Sequence, residues 1–475
     1  MTTNTRVEGV RSDDTQPVLG YLLLVSTVAC TAGWIITSSS GPFWVRVSFA
    51  VASFAAFGAL FIPKLRDSVF TRTRVSIAVA ALLVVAVAIP PRSHDMWAYV
   101  MYGRIVTEHN ASPYTHVSAD YPNDPLESRA GWPHTPAVYG PVFVGVAAAI
   151  TLVTDESALA SRLAFQGMEV LALAAALVLL WRRTRDPVAL AFIGLNPALL
   201  LAAADGHNDV LVGLAVLAAV LLISDRRPVW AGTVLATAAM IKIIAVVPLA
   251  ALVLWAWRHF GRRTALSAAG TAGALMAAGY ALVGGWTALD PVVQASRART
   301  SRTSIWRPLV TALQHHYAHA GNSPRVAGNL AAHEAGSFAI VSIIVLLAVV
   351  LWFSSRTNPP AWVAGAAVLA FVLPAQYVLP WYVAWGLPAL GLVWRSRLAV
   401  LAAVHAALLA ISYVGTNGAN PVFEFYYGTV VPVGYVIGIV LLVVLSVREH
   451  YSERSSVSSK PDAAASATAS AAALS

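Results

Sequence analysis

Apolar residues run in long stretches broken only by short polar connections, and this pattern recurs from residue 17 to about residue 450. Many stretches approach or exceed the roughly 20 residues that a helix needs to cross a bilayer. A span must close its backbone hydrogen bonds internally, so the stretches read as helices, and the Lys and Arg between them orient the loops. Basic clusters at Lys64, Arg66, Arg72 and Arg74, at Arg182, Arg183 and Arg185, at Arg226 and Arg227, at Arg258, Arg262 and Arg263, at Arg356, and at Arg395 and Arg397 should be cytoplasmic. Connections 38–42, 205–207, 375–379 and 415–426 carry no Lys or Arg and should lie outside. Helices at about 17–37, 43–62 and 75–91 then deliver residue 92 to the outer face.

Parity decides the next segments. Counting 138–153 as a crossing would put the Arg182 cluster outside, so this short apolar stretch, followed by Asp155 and Glu156, reads as a helix in the outer interface, and 157–181 is the fourth crossing. Stretches 228–257 and 361–394 start and end at basic loops and must each cross an even number of times, with splits near Lys242 and Pro380. The expected fold is an all-α polytopic membrane helix bundle of about 14 transmembrane helices plus outer-face interfacial helices. Residues 1–16 form a polar cytoplasmic lead, 17–450 the membrane domain with outer loops 92–156 and 285–335, and 451–475 a disordered Ser/Ala-rich tail. Thr27-Val28-Ala29-Cys30 faintly suggests a lipoprotein cleavage site, but apolar sequence continues to Ile36, which favours a retained helix.

Composition agrees. With 58% hydrophobic and 11% charged residues, the chain lacks the polar surface of a soluble enzyme. The net charge of +9 is explained by the placement of the basic loops and requires no nucleic acid, and the single cysteine, Cys30, allows no intrachain disulfide.

No metal motif, P-loop or dinucleotide fingerprint occurs. Nine of the twelve histidines fall on the outer face of this topology, so function should face outward. Three polar groups stand there. In His94-Asp95-Met96-Trp97-Ala98-Tyr99, continuing to Tyr102 and Arg104, a helix puts Asp95, Tyr99 and Tyr102 on one face; Asp95 is a base that takes a hydroxyl proton, or Ser93 or Asp95 merely caps that helix. Trp132-Pro133-His134-Thr135-Pro136 through Tyr139-Gly140-Pro141 sets a rigid turn that offers Tyr139 to a ligand or simply enters a helix. Asp205-Gly206-His207-Asn208-Asp209 is a site or a helix cap. Lys242, with apolar neighbours on both sides, faces a cavity, a lipid phosphate or a carboxylate, or snorkels to the interface. Arg297, Arg299, Arg302 and Arg307 lie outside against the positive-inside trend, which suits phosphate recognition or headgroup contact. His315, His316 and His319 suit a wet helix better than zinc, and Glu169 receives no chemistry.

Taken together, His94-Asp95-x-x-x-Tyr99-x-x-x-Gly103-Arg104, Ser112-Pro113-Tyr114, Tyr139-Gly140-Pro141, Gly206-His207-Asn208-Asp209, Met240-Ile241-Lys242, Gln376 and Pro380-Trp381-Tyr382 resemble the actinobacterial polyprenol-phosphate-mannose-dependent α-1,6-mannosyltransferases of the GT-C class, in order and spacing, over about residues 75–394. The resemblance implies a GT-C-like bundle in the plasma membrane with its site on the extracytoplasmic side. It implies a polyprenyl-phosphate sugar donor, a glycolipid or glycan acceptor of the cell envelope, and neither metal nor cofactor. It makes Asp95 the general base of an inverting mannosyl transfer. Lys242, Arg302 and Arg307 become donor-phosphate ligands, and His94, Tyr99, Arg104, Tyr139, His207, Asn208, Asp209, Gln376, Trp381 and Tyr382 substrate contacts. The same scaffold suits another polyprenyl-linked sugar, such as an arabinofuranose. A lipid flippase would require inverted repeats with charges near mid-bilayer, and the halves of this chain do not match.

Overall fold

The computed structural model describes residues 15–414 and 420–458. Of the lead expected over 1–16, only Thr15 and Gln16 are described, as the start of the helix Thr15–Thr37; of the tail expected over 451–475, residues 459–475 lie outside the described residues. Every regular element among the described residues is helical, and the chain forms the polytopic bundle expected of it. Among the described residues seven helices are long and apolar enough to cross a membrane: Pro17–Thr37, Phe43–Leu60, Ala158–Thr184, Ile243–Phe260, Arg262–Leu282, Pro324–Ser354 and Pro421–Arg448. Pro187–Gly194 and Pro197–Ala204, bent by 51° at their junction, make an eighth if taken as one span.

The other expected crossings are shorter or interrupted. Arg72–Ala88, Asp209–Ser224, Pro228–Ile241, Pro360–Val372 and Arg397–Ser412 have 13 to 17 residues, and 380–393 is a chain of 3₁₀ and α turns. Several of these are interior elements. Every residue of Pro197–Ala204 is buried, and so is all of Pro360–Val372 except Phe371. Proline opens many of the helices, because its fixed φ suits the first turn and its missing N–H costs nothing there.

Both expected splits occur. The helix Pro228–Ile241 stops at Lys242, which is extended (φ −146°, ψ 115°), and the chain resumes through the turn Ile243–Ala245 into Val246–Phe260. Pro360–Val372 likewise ends before the broken stretch that starts at Pro380. The stretch read as interfacial is the 14-residue helix Pro141–Thr154, which packs on Asp95–Thr107. Its last turn leaves Leu152 and Val153 exposed.

The loops sort to two ends. At one end the backbone of Arg92 and Ser93 meets Asp205, the Arg92 guanidinium donates to the Tyr413 carbonyl, Phe43 packs on Phe423, and Ser301 donates to the Gln376 carbonyl. At the other, Arg66 and Arg395 flank Trp394, Arg183 pairs with Asp225, Arg226 lies over Phe260, and Arg258 bonds the Leu351 carbonyl and Ser355. Connections 38–42, 205–207 and 375–379, and the described part 420–426 of the last, thus gather at the end that carries the site.

Candidate active site

The site begins at a turn that approaches a broken helix. Gly140 donates its N–H to the Ile241 carbonyl at 3.1 Å, and a Cβ there would collide with the Met240 carbonyl oxygen. Only glycine permits so close an approach of two backbones. It sets Tyr139 beside Lys242, whose ammonium lies 5.7 Å from the Tyr139 ring, 4.9 Å from Tyr382 and 5.4 Å from Trp385. The break in the helix at Lys242 turns the side chain inward instead of along the helix. Lys242 Nζ donates to Asp209 Oδ1 at 2.7 Å, so it does not snorkel. Asp209 is fully buried, also accepts from the Trp385 indole, and keeps Oδ2 without a partner.

Asp209 opens a helix whose cap differs from the expectation. Asn208 stands at the N-cap position but makes no cap hydrogen bond; the Leu211 N–H donates instead to Glu169 Oε2, 3.0 Å away, from the Ala158–Thr184 helix. That is the task of the buried Glu169: a carboxylate at a helix N-terminus. In the same turn, Gly206 takes φ +71°, and Asp205 accepts from the Arg92 and Ser93 N–H groups at 2.8 and 3.4 Å. The turn therefore fixes the entry to the Asp95–Thr107 helix.

Asp95 is the first residue of that helix. Its Oδ1 accepts from the Trp132 indole at 2.6 Å, and its Oδ2 has His207 Nδ1 at 3.7 Å. Burial raises the Asp95 carboxyl above its ordinary range, and the Trp132 bond and the Lys242 charge oppose that rise. His207 is fully buried, stacked on Trp381 with ring centroids 3.5 Å apart, and has no hydrogen bond at either nitrogen. Burial, then the charges of Lys242 and Arg92, push it well below its ordinary value, so it is neutral at pH 7.

Asp95 and Lys242 line one cavity of about 470 Å³, within the about 300–1,000 Å³ typical of ligand pockets. Its polar part adds Tyr102, Trp132, Thr135, Tyr139, Arg299, Gln376 and Tyr377; its apolar part is built by Ile243, Val247, Ile340, Ile343 and Phe371. Phe371 is the one unburied residue of its helix, and Ile340 and Ile343 belong to the long apolar helix Pro324–Ser354, so a helix able to cross a membrane builds part of the apolar wall. Arg258 joins the Val246–Phe260 and Pro324–Ser354 helices at the far end, and both pack on Pro360–Val372.

Of the residues singled out from sequence, Asp95, Tyr139, Lys242, Gln376, Trp381 and Tyr382 line this cavity; His207 and Asp209 stand directly behind it, and Asn208 is buried between them in sequence with neither amide atom bonded. The others are elsewhere. Tyr99 lies behind the wall, taking a hydrogen bond from Tyr139 at 3.3 Å, and Tyr102 takes the lining position instead. Arg104 is buried against Asp124 at 2.9 Å, and the exposed His94 contacts the Arg129 carbonyl. Arg307 is exposed at a helix start, and the charge of Arg302 acts on Tyr427. The side chain of Arg297 lies outside the described residues.

The arginine that reaches the cavity is Arg299. It donates to Thr135 Oγ1 at 3.1 Å and lies 4.6 Å over the Trp132 ring. The loop after it is stapled to 374–378: Gln376 donates to Thr300 Oγ1, Ser304 to the Ala375 carbonyl and Trp306 to the Pro374 carbonyl. Tyr377 and Trp385 also belong to the site without having been singled out for it, and of the turn Trp132–Pro141 not only Tyr139 but also Trp132 and Thr135 line the cavity. Among the described residues no three His, Cys, Asp or Glu side chains group as metal ligands.

Residues 8–259 match the model of the "Alpha-(1->6)-mannopyranosyltransferase, N-terminal domain" family. The chain is 24% identical over 416 residues to alpha-(1->6)-mannopyranosyltransferase A of Mycobacterium tuberculosis, covering 82% of this chain and 78% of that protein.

Proposed function

The chain belongs to the alpha-(1->6)-mannopyranosyltransferase family and is a membrane mannosyltransferase; from that premise we propose that it takes mannose from a polyprenyl-phosphate donor and transfers it, with inversion, to a lipid-linked or glycan acceptor at the extracytoplasmic face. The observation that carries this reading is a single cavity with a carboxylate and two cations at one end and, at the other, an apolar wall to which the long apolar helix Pro324–Ser354 contributes.

Charge supports a monophosphate. Asp209 offsets Lys242, Asp95 is anionic when it acts as base, and Arg299 adds one positive charge. A phosphodiester-linked sugar carries one negative charge, which this balance accommodates better than a diphosphate. The apolar wall at Ile243, Val247, Ile340 and Phe371 suits the first isoprene units. Sidedness rests on the short loops: the site lies at the end opposite the basic short loops around Arg66, Arg183, Arg226, Arg258 and Arg395, and such loops stay cytoplasmic.

In the step, Asp95 takes the proton of the acceptor hydroxyl as its oxygen attacks the anomeric carbon. Lys242 and Arg299 stabilise the charge that grows on the departing phosphate. The leaving group departs as an anion and needs no proton, so a second carboxylic acid is not required. Polyprenyl-phosphate mannose, polyprenyl-phosphate arabinofuranose and a nucleotide-linked mannose are offered separately to purified protein in detergent. Transfer from the first alone is expected; transfer from the nucleotide sugar, or none from the lipid donors, would contradict the reading.

A further inference from the structure

Asp95 is gripped unequally. Oδ1 holds a 2.6 Å hydrogen bond from Trp132, whereas the nearest partner of Oδ2 is His207 Nδ1 at 3.7 Å, beyond hydrogen-bond length. The same Trp132 ring carries Arg299 on its face at 4.6 Å, and three residues on, Thr135 Oγ1 accepts from Arg299. The Thr135 carbonyl in turn accepts from Tyr102, one helical face along from Asp95, at 3.1 Å. A tetrapeptide, Trp132-Pro133-His134-Thr135, therefore touches both the base and the cation.

We infer that Trp132 is a positioning residue for the transfer: its N–H fixes Oδ1 of Asp95, leaves Oδ2 as the oxygen that receives the acceptor proton, and ties the orientation of the base to the seat of Arg299. The inference rests on the mannosyl-transfer reading above. In that step the acceptor O–H bond breaks and its proton goes to Oδ2. The acceptor oxygen bonds the anomeric carbon, the bond from that carbon to the phosphate oxygen breaks, and its electron pair leaves on polyprenyl phosphate, one negative charge richer. Trp132 touches none of the reacting atoms. It restricts the carboxylate to one rotation, and small misplacements of a base cost large factors in rate.

The N–H also favours the charged carboxylate. Asp95 is faced by Lys242 across the cavity, by Asp205, His207 and Asp209 from the turn behind it, and by the phenols of Tyr99, Tyr102, Tyr139, Tyr377, Tyr382 and Tyr413. None of these groups changes when the indole N–H alone is removed, so a shift in the acid limb reports Trp132.

Trp132 is 39% exposed, so Trp132→Phe opens no core cavity and keeps a ring face for Arg299. With polyprenyl-phosphate mannose as donor, Trp132→Phe is expected to lower kcat about 10- to 100-fold, to move the acid limb of the kcat profile to higher pH, and to leave donor KM within about threefold. Thr135→Val is the contrast: donor KM rises and the acid limb stays. A benzothienyl analogue at 132, which exchanges the N–H for sulfur at constant shape, should reproduce the Phe result and guards against misfolding. Wild-type kcat and acid limb in the Phe or benzothienyl protein, or a kcat loss with an unmoved acid limb, overturn the inference. A wild-type protein that transfers nothing from polyprenyl-phosphate mannose removes the parent reading, and the inference with it, and is told apart because it needs no variant.

Discussion

Lys242 Nζ stands 2.7 Å from Asp209 Oδ1 at the point where the helix breaks, under three aromatic rings and open to the cavity. Lys242→Met is predicted to raise donor KM at least about tenfold and, because it leaves Asp209 buried without a cation, to destabilise the protein by about 3–5 kcal/mol. Adding Asp209→Asn should recover much of the stability and none of the donor affinity. Thermal unfolding and donor titration on the same samples separate the two effects; unchanged donor affinity in Lys242→Met would reduce Lys242 to a structural ion pair.

Arginines of the outer segment should behave unequally. Arg299→Ala is expected to raise donor KM more than about tenfold through loss of a charge-assisted contact to the donor phosphate. Arg302→Ala and Arg307→Ala, which lie off the cavity, should change it less than about twofold. Steady-state kinetics over a range of donor concentrations decides this, and a larger effect at Arg307 than at Arg299 would contradict the assignment.

That contrast marks the boundary of what sequence disclosed. The break at Lys242 was legible because a lone cation in an apolar stretch needs a partner and because parity demanded an even number of crossings there. The gathering of the Lys- and Arg-free loops at one end followed from charge in the same way. Which arginine faces the cavity was not legible, since Arg299 is aimed by hydrogen bonds from 300–306 to 374–378, a contact between segments far apart in sequence. Tyr99 and Tyr102 were indistinguishable for a related reason: the Asp95–Thr107 helix is buried from Met96 through Ile105, so no polar stripe marks which face meets the cavity. Trp132 stood at the head of a turn read for its Tyr139, and no spacing in the sequence marked its indole as the partner of Asp95. Arg104 sat in the shared motif, yet its task is to hold the outer loop.

That task can be measured. Arg104 and Asp124 are both buried, with His109 as a third member at 3.0 Å. Burial alone would raise Asp124, but the Leu126 N–H, Arg104 and His109 together hold it below the ordinary carboxylate value. A carboxyl lowered in the folded state stabilises fully above its unfolded pKa of about 3.9 and ceases to do so as pH falls through the folded value. Asp124→Asn should cost about 3 kcal/mol at pH 7, and the gap to wild type should narrow below about pH 4. Unfolding of both proteins across that range checks the prediction; a gap that widens in acid would refute it.

Gly140→Ala tests the backbone approach that pairs Tyr139 with Lys242. The added methyl meets the Met240 carbonyl, so one backbone must withdraw at a cost of about 1–3 kcal/mol. Donor KM should rise as the lysine shifts. Wild-type stability and KM together would mean that the two segments part without consequence.

The most direct measurement concerns Asp95. Purified Asp95→Asn protein is titrated with polyprenyl-phosphate mannose and then given acceptor under single-turnover conditions. The account predicts donor binding within about threefold of wild type and a rate of transfer lower by at least about 10³-fold. Donor binding retained together with near-wild-type transfer would contradict it, because the proton of the acceptor would then have another destination.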